Sequence, residues 1–393
     1  MIDHLSNEVL SIRGDLLTPD TEIKDGILRI RNGVIEEVTK SSSNLSDGKF
    51  LDFRGKKIIP GLIDTHIHGA GGFDMTGRDV AKAADYLPSH GVTSFLATTH
   101  FMLGRKHLLQ AVVEIANAIQ SPLEGAAILG VHMEGPWVAA DRSPFSKPEY
   151  CYPITREDIL AFQQASHHNL RMVTFAPELA GAMEVVPFLR DQGIIPSIGH
   201  TNATYEETKK AVANGLNHST HTFNAMQTLH HRQPGTLGAI LDCEEITAEM
   251  IGDGFHVQAP LMRLLLKVKG LERVCLVSDG VPLAGMPAGT RQDWYGFDIG
   301  TNGEISTLPD GRPAGAYKLL DQQVQVLIRQ EVADLPTAVT LASRVPAMML
   351  GLKKGQLRSG YDADVVVLNE EYQPILSMVA GKVVYQQERQ SSG

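Results

Sequence analysis

The chain has 393 residues, 43% hydrophobic and 20% charged, the composition of a soluble globular protein long enough for about two domains. A formal net charge of -10 weighs against nucleic acid or an anionic membrane as the main partner, while a small anionic substrate needs only a local basic pocket. Three cysteines without a close-spaced pair point to reduced thiols and a cytoplasmic protein, and no run of about 18 apolar residues offers a membrane span.

The opening MIDHLSNEVL is acidic and lacks the apolar segment of a signal peptide. Residues 1–60 read as short strands and turns, and in ILRIRNGVIEEV two strand-like runs flank Asn32-Gly33, a strong hairpin signal. Next comes PGLIDTHIHGAGG, an apolar run that carries Asp64, His66 and His68 before it dissolves into glycines. Side chains alternate along a strand, so His66 and His68 share a face and two imidazoles converge on one point. Taken alone, the pair reads equally as polar residues at a strand end.

The middle of the chain alternates β-like and helical patterns. After LIDTHIHG (62–69) come VTSFLATTH (92–100), AILGVHMEG (127–135), RMVTFAPE (171–178), IPSIGH (195–200), LNHSTHTF (216–223), ITAEMIGDGFHV (246–257) and VCLVSDG (274–280). RKHLLQAVVEIANAI (105–119), REDILAFQQA (156–165) and YEETKKAVANG (205–215) predict helices between them. Eight β runs alternating with helices predict an α/β fold, a (β/α)8 TIM-like barrel over 61–360. No Gly-rich dinucleotide fingerprint follows the first run, which disfavours an open doubly wound sheet. Near the C-terminus, ADVVVLN (363–369) and MVAGKVVYQ (378–386) are strand-like again. The two β-rich ends, 1–60 with 361–393, predict a small β-sandwich domain built from both termini. The final SSG reads as a frayed tail.

Chemistry-bearing residues gather at the C-terminal ends of the β runs, where a (β/α)8 barrel carries its active site. They are His66 and His68, His132 and Glu134, His200, His218 and His221, Asp253 and His256, and Asp279. So many potential ligands at successive strand ends predict a metal centre better than they predict packing. His218, His230 and His231 read as polar or surface residues, Asp64 as a residue that orients a neighbour, and Trp137 as packing.

PGLIDTHIHG, HMEGPW (132–137), GHTNA (199–203), THTFNAM (220–226), GDGFHV (252–257) and VSDG (277–280), in this order, resemble the N-acetylglucosamine-6-phosphate deacetylases of the amidohydrolase superfamily. The resemblance implies that Glu134, His200 and His221 hold a divalent metal, zinc or iron, and that His66 and His68 match members with a second ion. It implies that Asp279 is the acid/base and that Asn224, Ala225, Arg232, His256, Ala314 and Gly315 bind a small amino-sugar phosphate. It implies a homodimer as well. One departure stands out: where many relatives carry a histidine that polarises the acyl carbonyl, residues 139–153 hold none, and Ala316 replaces a frequent serine. Deacetylation of the N-acetylgalactosamine epimer, hydrolysis of a cyclic amide or dipeptide, and a catalytically dead assembly module are the alternative readings.

Overall fold

The computed structural model describes residues 9–40, 48–143 and 148–388. Most of the opening decapeptide, the SSG tail and positions 144–147 of the histidine-free stretch lie outside the described residues. The apolar runs become eight parallel strands: β1 (Leu62–Ile67), β2 (Val92–Thr99), β3 (Ala127–Glu134), β4 (Leu170–Phe175), β5 (Ile195–Ile198), β6 (His218–Ser219), β7 (Thr247–Ile251) and β8 (Val274–Val277). Their order in the sheet is their order in the chain. β8 returns to β1 through a parallel bridge, Ile67 to Gly280. There the Asp279 N–H donates to the His66 carbonyl (2.9 Å) and the His68 N–H to that of Gly280 (2.8 Å). The nearly closed ring of strands and helices is the (β/α)8 TIM-like barrel that the alternation predicts.

Local sequence explains the helices between the strands. Arg156–Ala165 begins at Thr155, whose side chain accepts the Asp158 N–H, and Tyr205–Ala213 begins with a Thr204/Glu207 capping box. β6 is shorter than its apolar run. His221, Phe223 and Ala225 all have positive φ (30°, 84° and 53°), which turns the backbone out of the sheet directly after Ser219.

The chain ends meet in one seven-stranded sheet, in the order Lys382–Gln386, Pro374–Val379, Val365–Leu368, Lys49–Pro60, Val9–Leu17, Glu22–Arg31, Val34–Lys40. Asn32 and Gly33 (φ 51° and 78°) form the predicted tight turn, both in the left-handed region that a type I′ hairpin requires. Ile12, Leu28, Ile58, Val365, Val367 and Leu376 bury its apolar face. A second small sheet, Arg291–Trp294, Phe297–Thr301, Ser306–Thr307 and Pro313–Gly315, is inserted after β8 and has no counterpart in the sequence reading. Cys243 and Cys275 are buried free thiols. No helix of the described residues is long and apolar enough to cross a membrane.

Asp364 ties the seven-stranded sheet to the barrel. Its carboxylate accepts from Lys354 (2.8 Å), Ser94 of β2 (3.3 Å) and the Ala380 N–H (2.8 Å), and its carbonyl accepts the Gly61 N–H (2.9 Å). Lys354 also pairs with Asp362 (2.9 Å), so loss of Asp364 leaves that charge one carboxylate but strips the Ser94 hydroxyl and the Ala380 N–H of their acceptor. Asp364→Ala should therefore destabilise the protein by about 1–3 kcal/mol, read as a fall in denaturation midpoint. An unchanged midpoint would mean that solvent replaces these contacts.

Candidate active site

The strand ends turn sharply to deliver their side chains. His200, His221 and Asp279 all sit at positive φ (46°, 30° and 51°), a region that non-glycine residues occupy only where their surroundings hold them. The side chains so aimed converge. Glu134 Oε1 lies 3.0 Å from both His200 Nε2 and His221 Nε2, which are 2.9 Å from each other. Glu134 Oε2 lies 3.2 Å from His68 Nε2, and His68 Nε2 is 3.3 Å from His66 Nε2. Asp279 Oδ1 stands 3.4 Å from both His66 Nε2 and His68 Nε2.

The opposite edges of these rings fix their tautomers. His200 Nδ1 donates to the Arg142 carbonyl (2.7 Å), His68 Nδ1 to the Thr98 carbonyl (3.3 Å) and His66 Nδ1 to Glu249 Oε2 (2.9 Å). A carbonyl can only accept, so each neutral ring turns an Nε2 lone pair towards Glu134 and its neighbours. Electron-rich atoms then face one another at hydrogen-bond distance, which is favourable only around a cation. Two groups, Glu134 with His200 and His221 and Glu134 with His66 and His68, have the donor chemistry and spacing of metal sites.

The electrostatics agree. Burial opposes the charge on Glu134, yet the attraction of His200 and His66 for it, and its close contacts with His200 and His221, hold its carboxyl well below the usual range. Asp279 is likewise lowered, against burial, by His66 and His68. Burial pulls His66 and His68 down, but the surrounding carboxylates raise them to about 9 and about 10. The centre attracts positive charge, as protons or as metal.

Glu249 on β7 is one residue of the centre that sequence reasoning missed. Fully buried, it accepts from His66 Nδ1, from His218 Nε2 (3.1 Å) and from the His221 backbone N–H (2.9 Å). His218 is accordingly not a surface residue: it is fully buried, and its partner is Glu249. In ITAEMIG an acidic residue flanked by apolar ones was the available signal. His132 lies beneath the centre, with Nδ1 donating to the Thr65 carbonyl (3.1 Å) and Nε2 accepting from Thr174 (2.8 Å). Asp64 accepts the His66 and Ser278 N–H groups, and Trp137 packs edge-on against Phe162.

A cavity of about 380 Å³ opens over the centre, the size of a small-molecule site. Glu134, His68, His200, His221 and Asp279 line its floor. Asn224, Ala225, His256, Ala314 and Gly315 line its walls, together with His100, Phe101, Met102, Arg142 and Trp294, which the sequence reading had not singled out. Gly315 has φ 123°, and a Cβ there would stand 2.3 Å from Val281, so this wall requires glycine. Trp294 comes from the inserted sheet, which Asp74 anchors by accepting the indole N–H. His256 Nδ1 pairs with Asp253 (2.6 Å); burial disfavours its charge, but that bond and the Asp253 and Asp279 charges raise its pKa. Arg232 is exposed and is not among the residues lining the cavity.

Glu249→Gln keeps the shape and removes the charge that orients His66. Metal affinity, read by titration of stripped protein, should fall about 10–100-fold, the usual effect of losing such a partner. Unchanged affinity would reduce Glu249 to a packing role.

The Amidohydrolase family profile matches residues 58–384. N-acetylglucosamine-6-phosphate deacetylase of Bacillus subtilis (strain 168) is 30% identical over 381 residues, covering 94% of this chain and 95% of that protein. N-acetylgalactosamine-6-phosphate deacetylase of Escherichia coli O157:H7 is 31% identical over 360 residues, covering 90% and 93%. A mutant N-acetyl-D-glucosamine-6-phosphate deacetylase from Mycobacterium smegmatis, solved in complex with N-acetyl-D-glucosamine-6-phosphate, superposes with a TM-score of 0.89 at 28% identity, covering 96% of this chain and all of that one. Extent of match, fold and strand-end chemistry lead to one conclusion: this chain belongs to the amidohydrolase family.

Proposed function

We propose that this enzyme hydrolyses N-acetylglucosamine 6-phosphate to glucosamine 6-phosphate and acetate. The observation that carries the reading is the meeting of Glu134, His200, His221, His68 and Asp279 on the floor of one small-molecule cavity, with His66 fully buried against them. The deacetylase relatives supply the substrate class. Glu134, His200 and His221 would hold the principal metal, and His66 with His68 a second. Imidazole and carboxylate ligands suit zinc or iron. Such an ion would lower the pKa of a water and polarise the amide carbonyl.

The protein's own residues do the rest. Asp279, kept ionised, takes a proton from the attacking water and passes one to the departing nitrogen. Amines leave poorly unless protonated, so one carboxylate acting as base and then acid suits an amide. Asn224, Ala225, Ala314 and Gly315 form the sugar walls, while His256 and Arg232 are the groups assigned to phosphate. Arg142 adds a guanidinium at the cavity itself, where its Nε donates to Asn202 Oδ1 (2.6 Å). We also read the enzyme as a cytoplasmic homodimer. Leu261, Leu264 and Val268, exposed along one face of the helix Ala259–Lys269, support a second copy of the chain as partner.

A turnover assay across N-acetylglucosamine 6-phosphate, its galactosamine epimer and the unphosphorylated sugars tests the reading, and inactivity on both phosphates rejects it. Asp279→Asn should keep fold and principal metal while turnover falls by about two to four orders of magnitude. Near-normal turnover would hand the proton to another group.

The phosphate pocket has its own test. Loss of one charge-assisted contact, worth about 1.5–3 kcal/mol, lowers kcat/KM by roughly ten- to a hundredfold. His256→Ala and Arg232→Ala should each narrow the gap between phosphorylated and plain sugars. The His256 cation is lost as pH rises through its raised pKa, so KM for the phosphorylated sugar should climb in that direction. Equal treatment of phosphorylated and plain sugars by the parent enzyme would exclude a phosphate pocket.

A further inference from the structure

Of the histidines lining the cavity, His100 alone has no task in the reading above. It directly follows β2 and is 2% exposed. Its Nδ1 accepts the Met102 backbone N–H (3.3 Å), so the neutral ring carries its proton on Nε2. That Nε2 is buried and finds no hydrogen-bond partner among the described residues. The ring is held by neighbours, its centroid 5.0 Å from that of Trp294 and 4.8 Å from that of Tyr295. A buried donor without an acceptor is unfavourable until an acceptor arrives.

The cavity says what kind of acceptor would suit. Phe101 and Met102 follow His100 in the chain and the Trp294 ring stands against it, with the His68 ring of the floor 6.2 Å away; Asn224, Arg142 and His256 supply further polar groups of the lining. An N-acyl group is a small apolar unit bearing a single acceptor oxygen, whereas a sugar phosphate is polar throughout. We propose that His100 is a catalytic residue whose Nε2–H donates to the acyl oxygen of the substrate, with Phe101, Met102 and Trp294 enclosing the acyl group. A donor aimed at that oxygen stabilises the charge that grows on it as the carbonyl is attacked. The assignment rests on the deacetylase reading and adds to it the group that recognises the bond to be broken.

The test compares the metal-loaded parent with His100→Phe, which keeps a ring of similar size, and His100→Gln, which keeps an N–H donor. Each is assayed on N-acetyl- and N-trifluoroacetylglucosamine 6-phosphate, with metal content measured alongside. His100→Phe should lose about 10²–10³-fold in kcat on the acetyl substrate, the usual effect of removing one such donor. The loss on the trifluoroacetyl substrate should be at least about tenfold smaller, because fluorine already polarises that carbonyl, and His100→Gln should recover at least about tenfold of the acetyl loss. Equal losses on both substrates, no loss on either, or a Gln variant no better than Phe would overturn the proposal. A parent inactive on the acetyl substrate would overturn the deacetylase reading itself, and this proposal with it.

Discussion

Acceptor facing acceptor is the constraint around which this molecule is arranged. Two histidine nitrogens meet one oxygen of Glu134 at 3.0 Å, a third, of His68, lies 3.2 Å from the other oxygen, and Asp279 stands 3.4 Å from that third nitrogen and from His66 Nε2. Such a cluster repels itself unless a cation sits within it. The barrel supplies the rigidity that holds it together. The ligands leave four strand ends, His66 and His68 sharing that of β1, and backbone carbonyls and Glu249 grip the far edges of three rings. The left-handed backbone at His200, His221 and Asp279 is a consequence of the same demand, since extended strands would carry these side chains past the centre.

Much of this was legible in the sequence because strand and site share a period. His66 and His68 lie two apart, so the strand reading alone places both rings on one face, and both reach Asp279. Eight β runs with helices between them suffice for a barrel, and Asn32-Gly33 suffices for a hairpin. What stayed hidden has a different character. Glu249 looks like any single acid in an apolar run until the ring closure brings it beside His66. His100 and Arg142 become cavity residues only through contacts distant in sequence. Trp294 depends on an inserted sheet whose strands are too short for periodicity to reveal. β6 was overread for the opposite reason: an apolar run continued past Ser219, but three left-handed residues ended the strand.

Division of labour within the cavity follows from its chemistry. The floor gathers three imidazoles and two ionised carboxylates, Glu134 and Asp279, part of the lining is apolar with one unsatisfied N–H, and the remainder carries polar groups and a guanidinium. An acidic protein thereby carries a guanidinium and an imidazole of raised pKa in the lining of one cavity. Residues 139–153 contain no histidine, so any imidazole that meets the acyl oxygen must come from elsewhere in the chain, and the residue after β2, His100, is one.

The central claim is that the Glu134–His200–His221 group holds a divalent metal on which catalysis depends. The most direct measurement is metal content and turnover of purified parent and His221→Ala proteins, side by side. The account predicts at least one bound transition metal in the active parent, and joint loss of metal and activity in the variant. A metal-free His221→Ala protein with full activity would contradict it.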